Sequence, residues 1–184
     1  MSTYNVRLCD HVGSNSPGVW GEGTAYVVGN YLKEFFDKVC SSPLTSFSDS
    51  DYWWDSPASD VRANEVLIYF LGTKADSLVH QVSPAAPLGP GGTTLIRSSG
   101  NISEIYLQES LSAMGGGSDI ARGLAVLAFH EAMHNKLKLG GSLHATGGGM
   151  AASTVYANTN LNAANIAKMA PALGLSVPQN LTFL

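Results

Sequence analysis

The sequence predicts an α+β fold, and three observations predict it. Two long segments, roughly 24–40 and 118–139, carry apolar residues at helical spacing. The short, continuous apolar run Val66-Leu67-Ile68-Tyr69-Phe70-Leu71 reads as a central strand buried on both faces. Two further strand-like runs, Thr93 to Arg97 and Ile102 to Leu107, are joined by Ser98-Ser99-Gly100-Asn101, a turn composition that favours an antiparallel hairpin. At 184 residues, with 45% hydrophobic and 13% charged side chains, the chain suits one globular domain that buries a sizeable core.

Taken in order, Asn5 to Cys9 forms a first strand, and the Gly/Ser/Pro-rich stretch 13–23 a surface loop. In the first helix Tyr26, Val27, Tyr31, Leu32, Phe35, Phe36 and Val39 keep helical spacing, with Thr24 as its cap and Lys38 near its end. Residues 41–63 are polar apart from the aromatic knot Tyr52-Trp53-Trp54, which fits a core edge better than a ligand grip. After the central strand comes a long Pro/Gly loop through Pro84–Gly92, then the hairpin. Gly115-Gly116-Gly117 leads to Ser118, an N-cap, with Asp119 placed favourably on the helix dipole. The long helix that starts there stops at Gly140-Gly141, and a last helix from Asn160 to Leu173 is interrupted at Pro171.

That long helix carries Phe129-His130-Glu131-Ala132-Met133-His134, a His-Glu-x-x-His run. Positions four apart stack on one helix face, so His130 and His134 can offer two imidazoles to one metal ion. Glu131 then stands about 100° round the axis, beside the metal and not on it, where a general base takes a proton from water. Five His and six Glu scattered over this length would match the pattern about once in two hundred chains, so the motif is specific. From Gly123 to Met133 the helix is otherwise apolar all round, and buried polar groups without partners cost several kcal/mol, a cost that a metal removes. The competing reading is a hydrogen-bonded core pair.

Catalytic zinc sites take three protein ligands and leave a position for water. No Asp, Glu or Cys follows His134, so His144 is the one conventional donor downstream, with His11 and His80 as upstream rivals. Residue 139 lies about 7.5 Å along the axis from His134, and residues 140–144 span up to roughly 16 Å, so the chain can double back.

His130-Glu131-Ala132-Met133-His134, a third histidine after a glycine turn, and Met150 in Gly148-Gly149-Met150-Ala151-Ala152 together resemble the metzincin group of zinc peptidases. The spacing is longer here: Gly140 is six and His144 ten residues beyond His134. The resemblance implies a zincin-like fold, a small mixed sheet with an antiparallel hairpin edge packed on two long helices plus a C-terminal helix. It divides the single domain 1–184 into an N-terminal subdomain, 1–139, and a small C-terminal one, 140–184. It implies Zn2+ on His130, His134 and His144, Glu131 as catalytic base, Met150 as a hydrophobic floor beneath the metal, and Tyr156 as an assisting residue. It also implies that the strand from Thr93 to Arg97 pairs with an extended peptide substrate.

Composition and pattern set further expectations. All fourteen acids lie at or before Glu131, whereas residues 135–184 carry three Lys and no acid; no basic stripe with interleaved aromatics argues for nucleic acid. Cys9 and Cys40 provide neither a disulfide framework nor zinc spacing, and two separate buried thiols are expected. No apolar run is long enough to span a membrane, and the N-terminus lacks a signal-peptide pattern. These features lead to the expectation of a monomeric product made in the cytoplasm. As a zinc endopeptidase it would be exported by a signal-less route as a toxin-like effector, guarded by an inhibitor or immunity partner, or would have a very narrow substrate. Two other classes stay open: a zinc hydrolase of a non-protein amide or cell-wall peptide, and a non-catalytic module stabilised by zinc.

Overall fold

The computed structural model describes residues 5–13, 16–39, 65–114 and 119–174. Its elements are β1 (Asn5–His11), α1 (Glu22–Val39), β2 (Glu65–Leu71), α2 (Leu78–Val82), β3 (Gly92–Leu95), β4 (Ile102–Tyr106), α3 (Leu107–Met114), α4 (Ile120–Leu137) and α5 (Ala163–Ala172), with short 3-10 turns between them. The fold is mixed α+β. The four strands run in the order β1-β2-β4-β3, with β1/β2 and β2/β4 parallel and β3/β4 antiparallel.

The apolar run in β2 is buried on both faces, as its lack of alternation predicts. Val66, Ile68 and Phe70 face the large core with Val6, Leu8 and Ile105, whereas Leu67, Tyr69 and Leu71 face a smaller cluster with Cys9, Val79 and Tyr106. The large core is closed by helices. Val28, Leu32, Phe35, Phe36 and Val39 give α1 one apolar stripe, and Phe36 and Phe35 meet the Phe129 ring of α4 at centroid distances of 4.9 and 6.0 Å. The core continues through Leu143, Met150, Ile166, Met169 and Ala170, so the segment after α4 shares it with the sheet.

Several boundaries depart from the sequence reading, each for a local reason. Helix α1 begins at Glu22, so Thr24 lies inside the first turn and its hydroxyl donates back to the Val19 carbonyl at 2.7 Å. Asp119 caps α4, accepting the Arg122 N–H on Oδ1 at 2.9 Å and the Tyr31 hydroxyl on Oδ2 at 2.5 Å; Ser118, the expected cap, lies outside the described residues. Leu107 ends no strand but opens α3, a helix too short for its periodicity to stand out. Pro171 does not interrupt α5, although it removes one N–H from the helix ladder; it stands next to the helix end, and the chain is closed beyond it by the Leu173 N–H on the Met169 and Ala170 carbonyls. Cys9 is buried, and Cys40 and the aromatic knot Tyr52-Trp53-Trp54 lie outside the described residues.

The end of α4 differs most. The helix stops at Leu137, and its C-cap is Lys138 in the left-handed region (φ 54°), not a glycine. Gly140 follows too late to take that position. A side chain pays a steric cost in this conformation that glycine avoids. Lys138→Gly is therefore expected to raise the stability of the metal-free protein by about 0.5–1 kcal/mol after glycine's own entropy cost is subtracted. An unchanged or lower urea midpoint would show that the strain is not there to relieve.

Candidate metal centre

The left-handed turn at Lys138 shapes the site, since it brings the Leu139 carbonyl back over the helix end. His134 Nδ1 donates to that carbonyl at 2.5 Å. One turn earlier, His130 Nδ1 donates to the Met150 carbonyl at 2.7 Å. A carbonyl only accepts, so Nδ1 carries a proton in both rings, and in the neutral rings Nε2 then carries a lone pair. Those two Nε2 atoms lie 3.1 Å apart.

His144 completes the group from the 3-10 turn Gly141–Ala145, and one ligand atom from each of the three rings lies within 4.8 Å of the others. Its Nε2 is buried and has no hydrogen-bond partner among the described residues. Two lone pairs thus face each other with the His144 ring beside them, an arrangement that repels unless a cation enters. Zinc at about 2.0–2.1 Å from each nitrogen would set neighbouring ligand nitrogens about 3.3 Å apart, close to the 3.1 Å between the Nε2 atoms of His130 and His134. The residues fit such an ion. A proton is a poor substitute, because burial holds His130 down at about 4, with the charges of His134 and His144 adding to it and the Met150 bond opposing. Burial lowers His134 as well.

Glu131 is buried beside the histidines and lines the same open cleft, which has a volume of about 1170 Å³. Thr94 of β3 donates to its Oε2 at 2.7 Å. Behind Thr94 the Ser103 hydroxyl stands at 3.0 Å and in turn accepts from Asn135 Nδ2 at 2.9 Å, so the carboxylate is fastened to the sheet edge. Gly92 makes room for it, since a Cβ there would sit 2.9 Å from Oε1. Burial pushes the Glu131 carboxyl up to about 8; the Thr94 bond opposes the shift and the Glu104 charge adds to it.

This shift has a stability consequence for the metal-free protein. The folded state holds a proton that the unfolded chain gives up near its ordinary value of 4.5, so Glu131's contribution is full below that pH and is lost as pH rises through about 8. Metal-free Glu131→Gln lacks this loss. It is expected to exceed the wild type in stability at pH 8, with the gap closing toward pH 5, as read by urea unfolding; a gap independent of pH would contradict the buried, protonated carboxyl.

The other expected residues are placed as follows. Met150 is fully buried, and its main-chain carbonyl accepts from His130. Tyr156 lines the cleft and is 64% exposed. His11 packs edge-on to Tyr69 at 5.4 Å and His80 reaches the Ala86 carbonyl at 3.1 Å, so neither joins the histidine group. The reading from sequence overlooked Thr94 and Asn165. Asn165 stands three residues after Asn162, and that capping-box spacing was a usable signal for it. No helix among the described residues is long and apolar enough to cross a membrane.

No protein-family model, curated protein or solved structure matches the chain.

Proposed function

We propose that the chain is a zinc-dependent endopeptidase with a zincin-like active site. The observation that carries this reading is the pair of proton-free Nε2 atoms 3.1 Å apart, with a third buried, unpartnered Nε2 on His144 and a buried carboxyl in the same cleft. His130, His134 and His144 would hold the ion. Zinc there supplies Lewis-acid chemistry, drawing charge from a carbonyl oxygen and acidifying water.

The chain's own groups do the rest. Glu131 takes the proton of the attacking water and returns it to the leaving amine, with Thr94 fixing the carboxylate through Oε2. Strand β3 is an outer strand of the sheet, and Gly92 to Thr94 line the cleft, which supports an extended peptide bound by strand addition. Among the described residues, the two charged side chains that line the cleft apart from Glu131 and the histidines are engaged within the protein. Asp119 caps α4, and Arg122 donates to the Ala157 and Thr159 carbonyls and to Asn160 Oδ1. The cleft is otherwise mostly apolar or main-chain surface, suited to uncharged side chains.

The test is digestion of a complex peptide library by zinc-loaded protein, read by mass spectrometry beside a Glu131→Gln control. Cleavage that requires Glu131 supports a peptidase and reports its preference in the same data. Zinc binding without cleavage, repeated over a panel of non-protein amides and cell-wall peptides, would move the reading to that class of hydrolase.

A further inference from the structure

The Met150 carbonyl that holds His130 belongs to a turn with little stiffness of its own. Gly147, Gly148 and Gly149 all have positive φ (123°, 65° and 57°), and three successive glycines give the backbone its greatest freedom. What holds the turn is a side chain from another element. Asn165, in the first turn of α5, is completely buried. Its Oδ1 accepts the Met150 N–H at 3.0 Å and the Asn162 N–H at 3.3 Å, and its Nδ2 donates to the Gly148 carbonyl at 2.9 Å. The fit is close: a Cβ on Gly149 would lie 2.5 Å from that Oδ1. Asn162 caps α5 by accepting the Asn165 N–H at 2.9 Å, and its own Nδ2 donates to the Gly147 carbonyl at 2.9 Å.

We propose that Asn165 is a positioning residue for the metal ligand His130, acting through the glycine turn and the Met150 carbonyl. The amide grips the turn on both sides of Gly149, one bond to the residue before it and one to the residue after. The peptide group that follows Met150 is thereby aimed at His130 Nδ1. That bond fixes which nitrogen carries the proton and turns Nε2 toward His134 and His144. Groups that orient a ligand in this way tune metal affinity as strongly as many direct contacts do. The inference rests on the metal centre described above and does not depend on which bond the protein cleaves.

The experiment compares zinc affinity, by chelator competition, in wild type, Asn165→Ala, Asn165→Asp and Ile166→Val. The last variant trims the core on the same helix and leaves the amide in place, so it controls for a loss of packing alone. Asn165→Ala is expected to bind zinc about 10–100-fold more weakly. Asn165→Asp keeps the acceptor for Met150 and loses the donor to Gly148, so it falls between. Ile166→Val binds as the wild type does. A second reading needs no metal: the His130 Nδ1–H proton, held on a carbonyl at 2.7 Å, gives a downfield resonance in the metal-free protein that weakens or moves in Asn165→Ala and persists in Ile166→Val. If Asn165→Ala does not fold, Asn165→Asp decides. A folded Asn165 variant with wild-type zinc affinity and an unmoved His130 resonance overturns the proposal. Failure of the wild type to bind zinc overturns the metal centre and this role with it.

Discussion

Glu131→Gln is expected to keep its zinc and lose about 10²–10⁴-fold in turnover, the usual worth of a positioned general base. Glutamine has the same shape, can still accept the Thr94 hydroxyl through its carbonyl oxygen, and is not one of the three converging nitrogens, so the metal site is left intact. What disappears is the group that takes a proton from water. The substitution is structurally mild for a further reason: burial already favours the neutral carboxyl, with its pKa pushed up to about 8 in the metal-free protein. The measurement is a pair of rates at saturating substrate with zinc content determined on the same samples. Retained turnover with full zinc would end the mechanism. Lost turnover with lost zinc would assign Glu131 to the metal site and not to proton transfer.

Zinc is expected to raise the melting temperature strongly, and His144→Ala to abolish most of the gain. At roughly a thousandfold excess over its Kd, an ion that binds the folded state alone stabilises by about 4 kcal/mol. For a domain of this size that corresponds to about 8–16 °C. The reason to look to His144 is its buried Nε2, which has no hydrogen-bond partner among the described residues and is therefore relieved by the ion and not merely bound by it. Removing that ring leaves two donors on one helix turn. Scanning calorimetry with zinc and after chelation reads the effect; an undiminished shift in His144→Ala would place the third donor elsewhere in the chain.

How much of this could be read from the sequence depends on how local the cause is. The pairing of His130 and His134 follows from helix geometry alone, and the apolar run in β2 announces a strand covered on both faces. His144 emerged by elimination, because no acid or cysteine follows His134. The helix end was misplaced because Gly140 offers the better left-handed residue, yet Lys138 takes that conformation two positions earlier, and the Leu139 carbonyl then reaches His134. Main-chain carbonyls have no signature in a sequence, so the contacts of Leu139 and Met150 with the rings could not be foreseen. Thr94 and Asn165 act across 37 and 15 residues of chain, on Glu131 and on Met150, distances over which pattern gives no register. The α+β class with its hairpin is plain in the structure, whereas the zincin-like architecture remains part of the proposal.

The three histidines fall between residues 130 and 144 of a 184-residue chain, whereas the sheet joins strands as far apart as β1 and β2. The site is therefore local and the scaffold is not. One helix turn and the ten-residue step from His134 to His144 bring the ligands together, whereas the parallel pairing of β1 with β2 closes a far longer stretch of chain. The donor nitrogens are therefore spaced by one short stretch of chain, which the Met150 and Thr94 hydrogen bonds tie to the rest of the fold.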